Sequence, residues 1–139
     1  MKVLLVDDEK AFLEQGKIFL QNKDEKFDID TSLSAEKALK MFDKNRYDII
    51  VSDYRMPQMD GLEFLERLRD DGHDIPFIIM TGKGEEEVAM KALNLGANRY
   101  LKKSGPPKNQ FGVLAANIGR EVKNYRTKKE LRLSKKEKS

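Results

Sequence analysis

The chain has 139 residues, a length typical of one domain, and it has no cysteine, which excludes disulfide bonds. No apolar run approaches the roughly 18 residues that a membrane-spanning helix needs. The apolar run at the amino terminus ends at Asp7 and Asp8, too early for a signal peptide, so we expect a soluble cytoplasmic protein.

Charge is distributed unevenly along the chain. Residues 1–119 carry 18 basic and 21 acidic side chains, whereas residues 120–139 carry 9 basic and 3 acidic ones. A mildly acidic body is therefore joined to a basic segment, and the net charge of +3 describes neither of them. We expect one domain over residues 1–122 and a basic helical extension or linker over residues 123–139.

Short apolar runs predict five strands in chain order. The runs at residues 3–6, 49–51 and 77–80 are continuous, which is typical of strands buried on both faces of a parallel sheet. Weaker strands are predicted at residues 27–32 and 100–101. Apolar and polar residues alternate within 27–32, which favours a place at the edge of the sheet.

Helical spacing of apolar residues fills the gaps between these strands. Helices are predicted over about residues 10–21 and from Phe111 to Tyr125. Two others are predicted to begin after a cap at Ser34 and after Gly61, and a further one is predicted to end at Gly96. Strict alternation of strand and helix predicts a flavodoxin-like (βα)5 doubly wound sandwich. Its parallel sheet would have the strand order 2-1-3-4-5 and right-handed crossovers.

Polar residues follow four of the predicted strands at their carboxyl ends. Ligands bind such sheets outside these ends, near the point where the strand order reverses, between strands 1 and 3. The residues in question are Asp7 and Asp8, Asp53, Thr81, and Lys102. We therefore expect three carboxylates, a hydroxyl and an ammonium group in one crevice.

This set of side chains is suited to one kind of chemistry. Three converging carboxylates repel one another unless a cation compensates, and hard oxygen ligands favour Mg²⁺. A carboxylate can attack phosphorus, and Lys102 and Thr81 could neutralise the phosphoryl oxygens. The set is chemically complete for transfer of a phosphoryl group to Asp53.

Each residue alone also has a simpler interpretation. Asp7 and Asp8 could do no more than cap the first helix, and Asp53 could be an ordinary acidic residue of a loop. Thr81 could merely end a strand, and Lys102 could be a solvated lysine. The joint interpretation is favoured because all five residues fall at the carboxyl ends of predicted strands, four strands in all.

Four segments resemble the motifs of response-regulator receiver domains of two-component systems. Residues 53–61, DYRMPQMDG, resemble the phosphoacceptor motif D-x-x-M-P-x-M-D-G. Residues 6–9 (VDDE), 80–82 (MTG) and 100–102 (YLK) resemble the family's acidic pair, its hydroxyl position and its aromatic-x-Lys. The resemblance covers about residues 1–122, and the segment after Pro106 is also similar to receivers that head archaeal sensor proteins.

The resemblance implies that Asp53 accepts a phosphoryl group from a partner histidine kinase. It also implies that Asp8 and Asp53 bind Mg²⁺ directly, with the backbone carbonyl of Arg55 as the third protein ligand. Asp7 would act mainly through water. The chain would then be a signalling domain, and its only catalysis would be its own phosphorylation and slow dephosphorylation.

The same resemblance also implies which residues change position when Asp53 is phosphorylated. Thr81 and Lys102 would contact the phosphoryl group, and Tyr100 would swing inward as Thr81 shifts. This movement would alter the face made by helix 4, strand 5 and helix 5, through which the domain would signal to an output domain or a downstream protein. The resemblance names neither that target, nor the kinase, nor its signal.

The chain departs from the family pattern near Lys102. The family usually has a proline after its lysine, often with a cis bond, whereas Lys103 follows here, so we expect a trans bond or a strained cis bond. Lys103 could replace Lys102, but side-chain alternation and the spacing from Tyr100 favour Lys102. Arg55 and Lys83 are unusual basic residues at the two variable positions where relatives line the approach of the hydrolytic water.

Other classes of protein fit the sequence less well. An aspartate-nucleophile phosphatase would need an acid at position 55, and the acidic segment after strand 1 would repel the phosphate of a nucleotide or flavin. The lone His73 lies in a polar turn, which argues against a histidine kinase. The alternative is a receiver-like module that uses its basic tail for nucleic-acid contact, which the missing helix-turn-helix pattern disfavours. No membrane partner is expected.

Overall fold

The structure is a computed structural model and describes residues 1–138, with side chains through residue 136. Five strands form one parallel sheet in the order β2-β1-β3-β4-β5, which confirms the predicted flavodoxin-like fold. The strands are β1 Lys2–Val6, β2 Asp28–Ser32, β3 Ile49–Asp53, β4 Phe77–Thr81 and β5 Arg99–Lys102.

The helices lie between the strands as predicted, and two of them begin at well-defined caps. They are α1 Lys10–Lys23, α2 Ala35–Lys44, α3 Gly61–Asp70, α4 Glu86–Asn94 and α5 Pro107–Lys138. The Ser34 side chain accepts a hydrogen bond from the Lys37 N–H at 3.2 Å. Asp60 and Glu63 form a reciprocal capping box at the start of α3, directly after the loop that follows β3.

Side chains of each strand alternate between two apolar cores, one on each face of the sheet. Val3 and Leu5 of β1 and Val51 of β3 pack in the core beneath α1 and α5, whereas Leu4 and Ile50 pack in the core on the other face. The residues two positions beyond Leu5 and Val51 therefore lie on the same face of the sheet, the face covered by α1 and α5.

Helix α5 continues well beyond the part that packs on the body. Its buried residues end at Val122, and Leu131 and Leu133 are exposed. Tyr125 Oη donates a hydrogen bond to Asp74 at 2.9 Å, and Arg132 forms a 3.7 Å ion pair with the same carboxylate. Within residues 1–138, no helix is both long enough and apolar enough to span a membrane.

Candidate functional site

Three carboxylates converge at the carboxyl edge of the sheet. β1 and β3 are neighbours, with Val6 opposite Ser52, so the residues that follow lie side by side. One carboxylate oxygen from each of Asp7, Asp8 and Asp53 lies within 4.8 Å of the others. Asp7 and Asp53 are buried and Asp8 is exposed, so the cluster opens to solvent on one side.

The lysine in this cluster is Lys103. Its Nζ lies 2.7 Å from Asp7 Oδ2 and 3.7 Å from Asp53 Oδ2, and 4.2 Å from the centre of the Phe12 ring. Lys102 points elsewhere, because its mostly exposed Nζ lies 3.9 Å from Glu86 Oε1. The sequence-based placement of Lys102 at the site is therefore corrected to Lys103.

Alternation along β5 explains this difference. Tyr100 and Lys102 are both exposed, while Leu101 between them packs against the core beneath α1 and α5. Lys103 is the next residue on the side of Leu101, which is also the side of Asp7 and Asp53. The Lys102–Lys103 bond is trans, so the chain presents Lys103 to the carboxylates without a cis turn.

Burial and crowding of like charges shift the proton affinities of the cluster. Burial raises the pKa of the Asp53 carboxyl to about 7, with a further contribution from the charge of Asp7. Burial also raises the pKa of Asp7, and the hydrogen bond from Lys103 offsets this only in part. For Lys103, burial lowers the pKa, but the hydrogen bond to Asp7 and the charge of Asp53 outweigh it, and the net shift is upward.

The three carboxylates differ in how many oxygens remain available to a ligand. Asp7 Oδ1 accepts a hydrogen bond from the Glu9 N–H at 2.8 Å, and Asp7 Oδ2 accepts one from Lys103. Asp53 Oδ1 accepts one from the Tyr54 N–H at 3.0 Å. Within the part of the chain that the structure describes, the Asp8 carboxylate has no hydrogen-bond or ion-pair partner. The donor set thus fits a hard divalent cation such as Mg²⁺.

The acidic pair does not cap α1. Glu9 occupies the N-cap position, and its side chain makes no capping hydrogen bond. The Asp7 carboxylate binds the Glu9 N–H, which lies before the helix. Capping therefore does not account for the positions of Asp7 and Asp8.

The loop after β3 requires a glycine at residue 61. The Gly61 N–H donates to the Tyr54 carbonyl at 2.9 Å, which closes the loop back onto the end of β3. A Cβ on Gly61 would lie 2.5 Å from the carbonyl oxygen of Asp53, closer than real contacts allow. Gly61 thus permits α3 to start directly against the backbone of Asp53.

Thr81 and Tyr100 lie on neighbouring strands at the same edge. Thr81 ends β4, is 2% exposed, and stands opposite Lys102 in the register with β5. Tyr100 is 41% exposed and turns away from the α1–α5 core.

Sequence reasoning missed Glu85, which binds Arg55. Arg55 Nε donates to Glu85 Oε2 at 2.8 Å, so the guanidinium is held by a carboxylate although most of the side chain is exposed. The Gly82 N–H donates to Glu85 Oε1. Lys83, the other basic residue predicted to flank the site, is exposed. An acid before a helix has a generic electrostatic explanation, so no sequence signal singled out Glu85.

Comparison with known proteins identifies the family. The family model for the response regulator receiver domain matches residues 3–112. The chain belongs to the response regulator receiver domain family. Solved structures agree: the crystal structure of FixJ-N is 30% identical with a TM-score of 0.77, over 88% of this chain and 93% of that one. A receiver domain from Clostridium thermocellum is 26% identical with a TM-score of 0.79, over 91% and 97%.

The curated relatives of this receiver domain are longer proteins. The transcriptional regulatory protein YdfI of Bacillus subtilis is 32% identical over 84% of this chain and 54% of its own length. The response regulator SaeR of Staphylococcus epidermidis is 33% identical over 76% and 45%. The chain thus spans about half the length of the curated relatives that it matches.

Proposed function

We propose that this receiver domain is a phosphorylation-dependent switch that accepts a phosphoryl group on Asp53 from a sensor histidine kinase, in a Mg²⁺-dependent reaction. The observation that carries the proposal is the cluster itself: the buried Asp53 carboxylate lies within 4.8 Å of Asp7 and Asp8, and Lys103 lies beside it. Few other functions account for a buried carboxylate so close to two more at the carboxyl edge of a parallel sheet.

Asp53 is the nucleophile in this proposal. A carboxylate oxygen forms a bond to phosphorus as the bond from phosphorus to the donor breaks, and the donor leaves with that electron pair. The donor is a phosphohistidine in the kinase, or acetyl phosphate in a test, which releases acetate. Lys103, in place of Lys102, and Thr81 supply a positive charge and a hydroxyl donor to the phosphoryl oxygens.

The Mg²⁺ ligands are assigned to Asp8, Asp53 and the backbone carbonyl of Arg55, with Asp7 acting through water. The metal supplies charge neutralisation when bound. Both oxygens of Asp7 already accept hydrogen bonds, from Glu9 and Lys103, which supports an indirect role for this carboxylate.

The output surface is assigned to α4, β5 and the adjoining part of α5. Met90 and Leu93 of α4 and Tyr100 of β5 are exposed apolar or aromatic side chains on this side of the domain. Exposed apolar groups that lie close together often mark a partner surface. Rotation of Tyr100 inward as Thr81 engages the phosphoryl group would change the shape of this surface, and a downstream domain or protein would respond.

The proposed function is tested by labelling with a small phosphodonor. The purified chain is incubated with acetyl phosphate and Mg²⁺, and its intact mass is followed over time. We expect one added phosphoryl mass in the wild-type chain, none without Mg²⁺, and none in Asp53→Asn. Labelling that persists in Asp53→Asn would contradict the assignment of Asp53.

A further inference from the structure

Glu85 is a buried carboxylate that lies outside the acidic cluster and joins two loops. It is 6% exposed and immediately precedes α4. One of its oxygens accepts the Gly82 N–H, and the other accepts Arg55 Nε at 2.8 Å. A Cβ on Gly82 would lie only 3.2 Å from Glu85 Oε1, which shows how closely the carboxylate sits against that backbone.

Both donors held by Glu85 lie within two residues of the proposed phosphorylation site in the sequence. Arg55 follows Asp53 by two residues, and Gly82 directly follows Thr81. β3 and β4 are paired, with Asp53 opposite Met80, so the two loops leave the sheet side by side. A backbone N–H and a guanidinium group are strong partners for phosphoryl oxygens, and here a carboxylate occupies both.

Phosphorylation changes the electrostatic balance between these groups. A phosphoryl group on Asp53 carries more negative charge than the carboxylate that it replaces, and it brings additional acceptor oxygens. It would repel Glu85 and attract the two donors that Glu85 holds. A phosphoryl group on Asp53 would therefore weaken the pairing of Glu85 with Gly82 and Arg55.

We propose that Glu85 is a positioning residue that competes with a phosphoryl group on Asp53 for the Gly82 N–H and the Arg55 guanidinium. The proposal rests on the proposed function of Asp53. Release of Glu85 frees the residue that immediately precedes α4, because Glu86 is the first residue of that helix. Glu85 thus links the phosphoryl group to the start of α4.

A purely structural role for Glu85 makes a different prediction. If Glu85 only fastened the loop between β4 and α4, then Glu85→Gln would leave labelling of Asp53 unchanged or reduce it. Glutamine keeps the size of the side chain and an oxygen that can accept the Gly82 N–H, but it removes the charge that repels the phosphoryl group and holds Arg55.

The experiment compares initial labelling rates with acetyl phosphate and saturating Mg²⁺. We expect Glu85→Gln to label about three- to tenfold faster than the wild-type chain, because a neutral amide holds the Gly82 N–H and the Arg55 guanidinium less strongly than the carboxylate does. Glu86→Gln is the matched control, since it makes the same charge change one residue away at an exposed position paired with Lys102. The control should label at the wild-type rate. Adding Arg55→Met to Glu85→Gln should remove part of the gain.

The outcomes separate this inference from the proposed function. If the wild-type chain is not labelled, both fail; if it is labelled but Glu85→Gln is no faster than Glu86→Gln, the role of Glu85 alone is overturned. A second measurement uses only the wild-type chain and so survives a variant that does not fold. The amide signal of Gly82 and the Nε–H signal of Arg55 should both shift in NMR spectra on labelling, and unchanged signals would also overturn the proposal.

Discussion

Replacing Lys103 and Lys102 in turn tests which of the two lysines acts beside the carboxylates. The structure places Lys103 there, whereas the sequence favoured Lys102. The test pair is Lys103→Met and Lys102→Met, because methionine keeps an unbranched apolar side chain and removes the charge. In the structure only Lys103 contacts the buried carboxylates, whereas Lys102 forms a long and exposed pair with Glu86. The two variants should therefore differ both in stability and in labelling.

The expected magnitude follows from the distances. Opposite charges separated by 2.7 Å, as for Lys103 and Asp7, attract by about 6 kcal/mol at an effective dielectric constant of about 20. Desolvation of the two groups offsets much of this attraction, and removal of one partner from a buried pair typically costs about 3–5 kcal/mol. The exposed pair of Lys102 contributes about 0–1 kcal/mol.

Stability is measured by urea unfolding at neutral pH in the presence of a chelator. We expect Lys103→Met to lose about 3 kcal/mol and Lys102→Met to lose less than about 1 kcal/mol. Saturating Mg²⁺ should reduce the loss in Lys103→Met, because the cation supplies part of the missing positive charge. Labelling by acetyl phosphate should fall about 100-fold in Lys103→Met and stay within about twofold in Lys102→Met.

The reverse pattern would refute the reasoning. If Lys102→Met lost labelling and Lys103→Met kept it, Lys102 would be the group that meets the phosphoryl oxygens, and the contacts of Lys103 would have no role in the reaction. If Lys103→Met lost labelling but no stability, the ion pair with Asp7 would contribute nothing to the fold.

Three further predictions concern the metal, the loop and the extension. Asp8→Asn should weaken Mg²⁺ binding at least about tenfold more than Asp7→Asn in a tyrosine-fluorescence titration. Both oxygens of Asp7 already accept hydrogen bonds, whereas the Asp8 carboxylate has no partner among the described residues; equal weakening would contradict this. Gly61→Ala should cost at least about 2 kcal/mol in urea unfolding, because its Cβ meets the Asp53 carbonyl, and wild-type stability would contradict the clash. Deletion of residues 128–139 should leave labelling intact and cost less than about 1 kcal/mol, because the Arg132 ion pair is exposed; a loss above about 2 kcal/mol would show that the extension packs on the body.

The fold could be predicted because its strands and helices carry separate signals in the sequence. Three of the strands are continuous apolar runs, and all their positions are buried or nearly so in the structure. Ser34 and Gly61 marked the starts of α2 and α3, and Gly96 marked the end of α4 with a positive φ of 103°. Beyond residue 122 the sequence left a helical extension or a linker open, because the polar residues after Tyr125 show no apolar stripe; in the structure α5 continues to Lys138.

The acidic cluster could also be predicted, but the lysine beside it could not be chosen correctly from spacing alone. Asp7 and Asp53 follow buried strands, so their place at the carboxyl edge depends only on the strand order. The choice between Lys102 and Lys103 depends on which face of the sheet each residue meets. Spacing from Tyr100 favours Lys102, but Tyr100 faces away from the carboxylates, whereas Leu101 shares their side. Leu101 was therefore the correct reference for the alternation.

The contact between Glu85 and Arg55 lies beyond sequence reasoning for a different reason. Thirty residues separate the two side chains, and each belongs to a loop whose path is set by the sheet beneath it. The contact also changes what Arg55 can do. A guanidinium held by Glu85 is not available to cover the line of attack on Asp53 until that pair opens, whereas Lys83 has no such contact among the described residues. We therefore expect any effect of Arg55 on the lifetime of a phosphoryl group to depend on Glu85, and any effect of Lys83 to be independent of it.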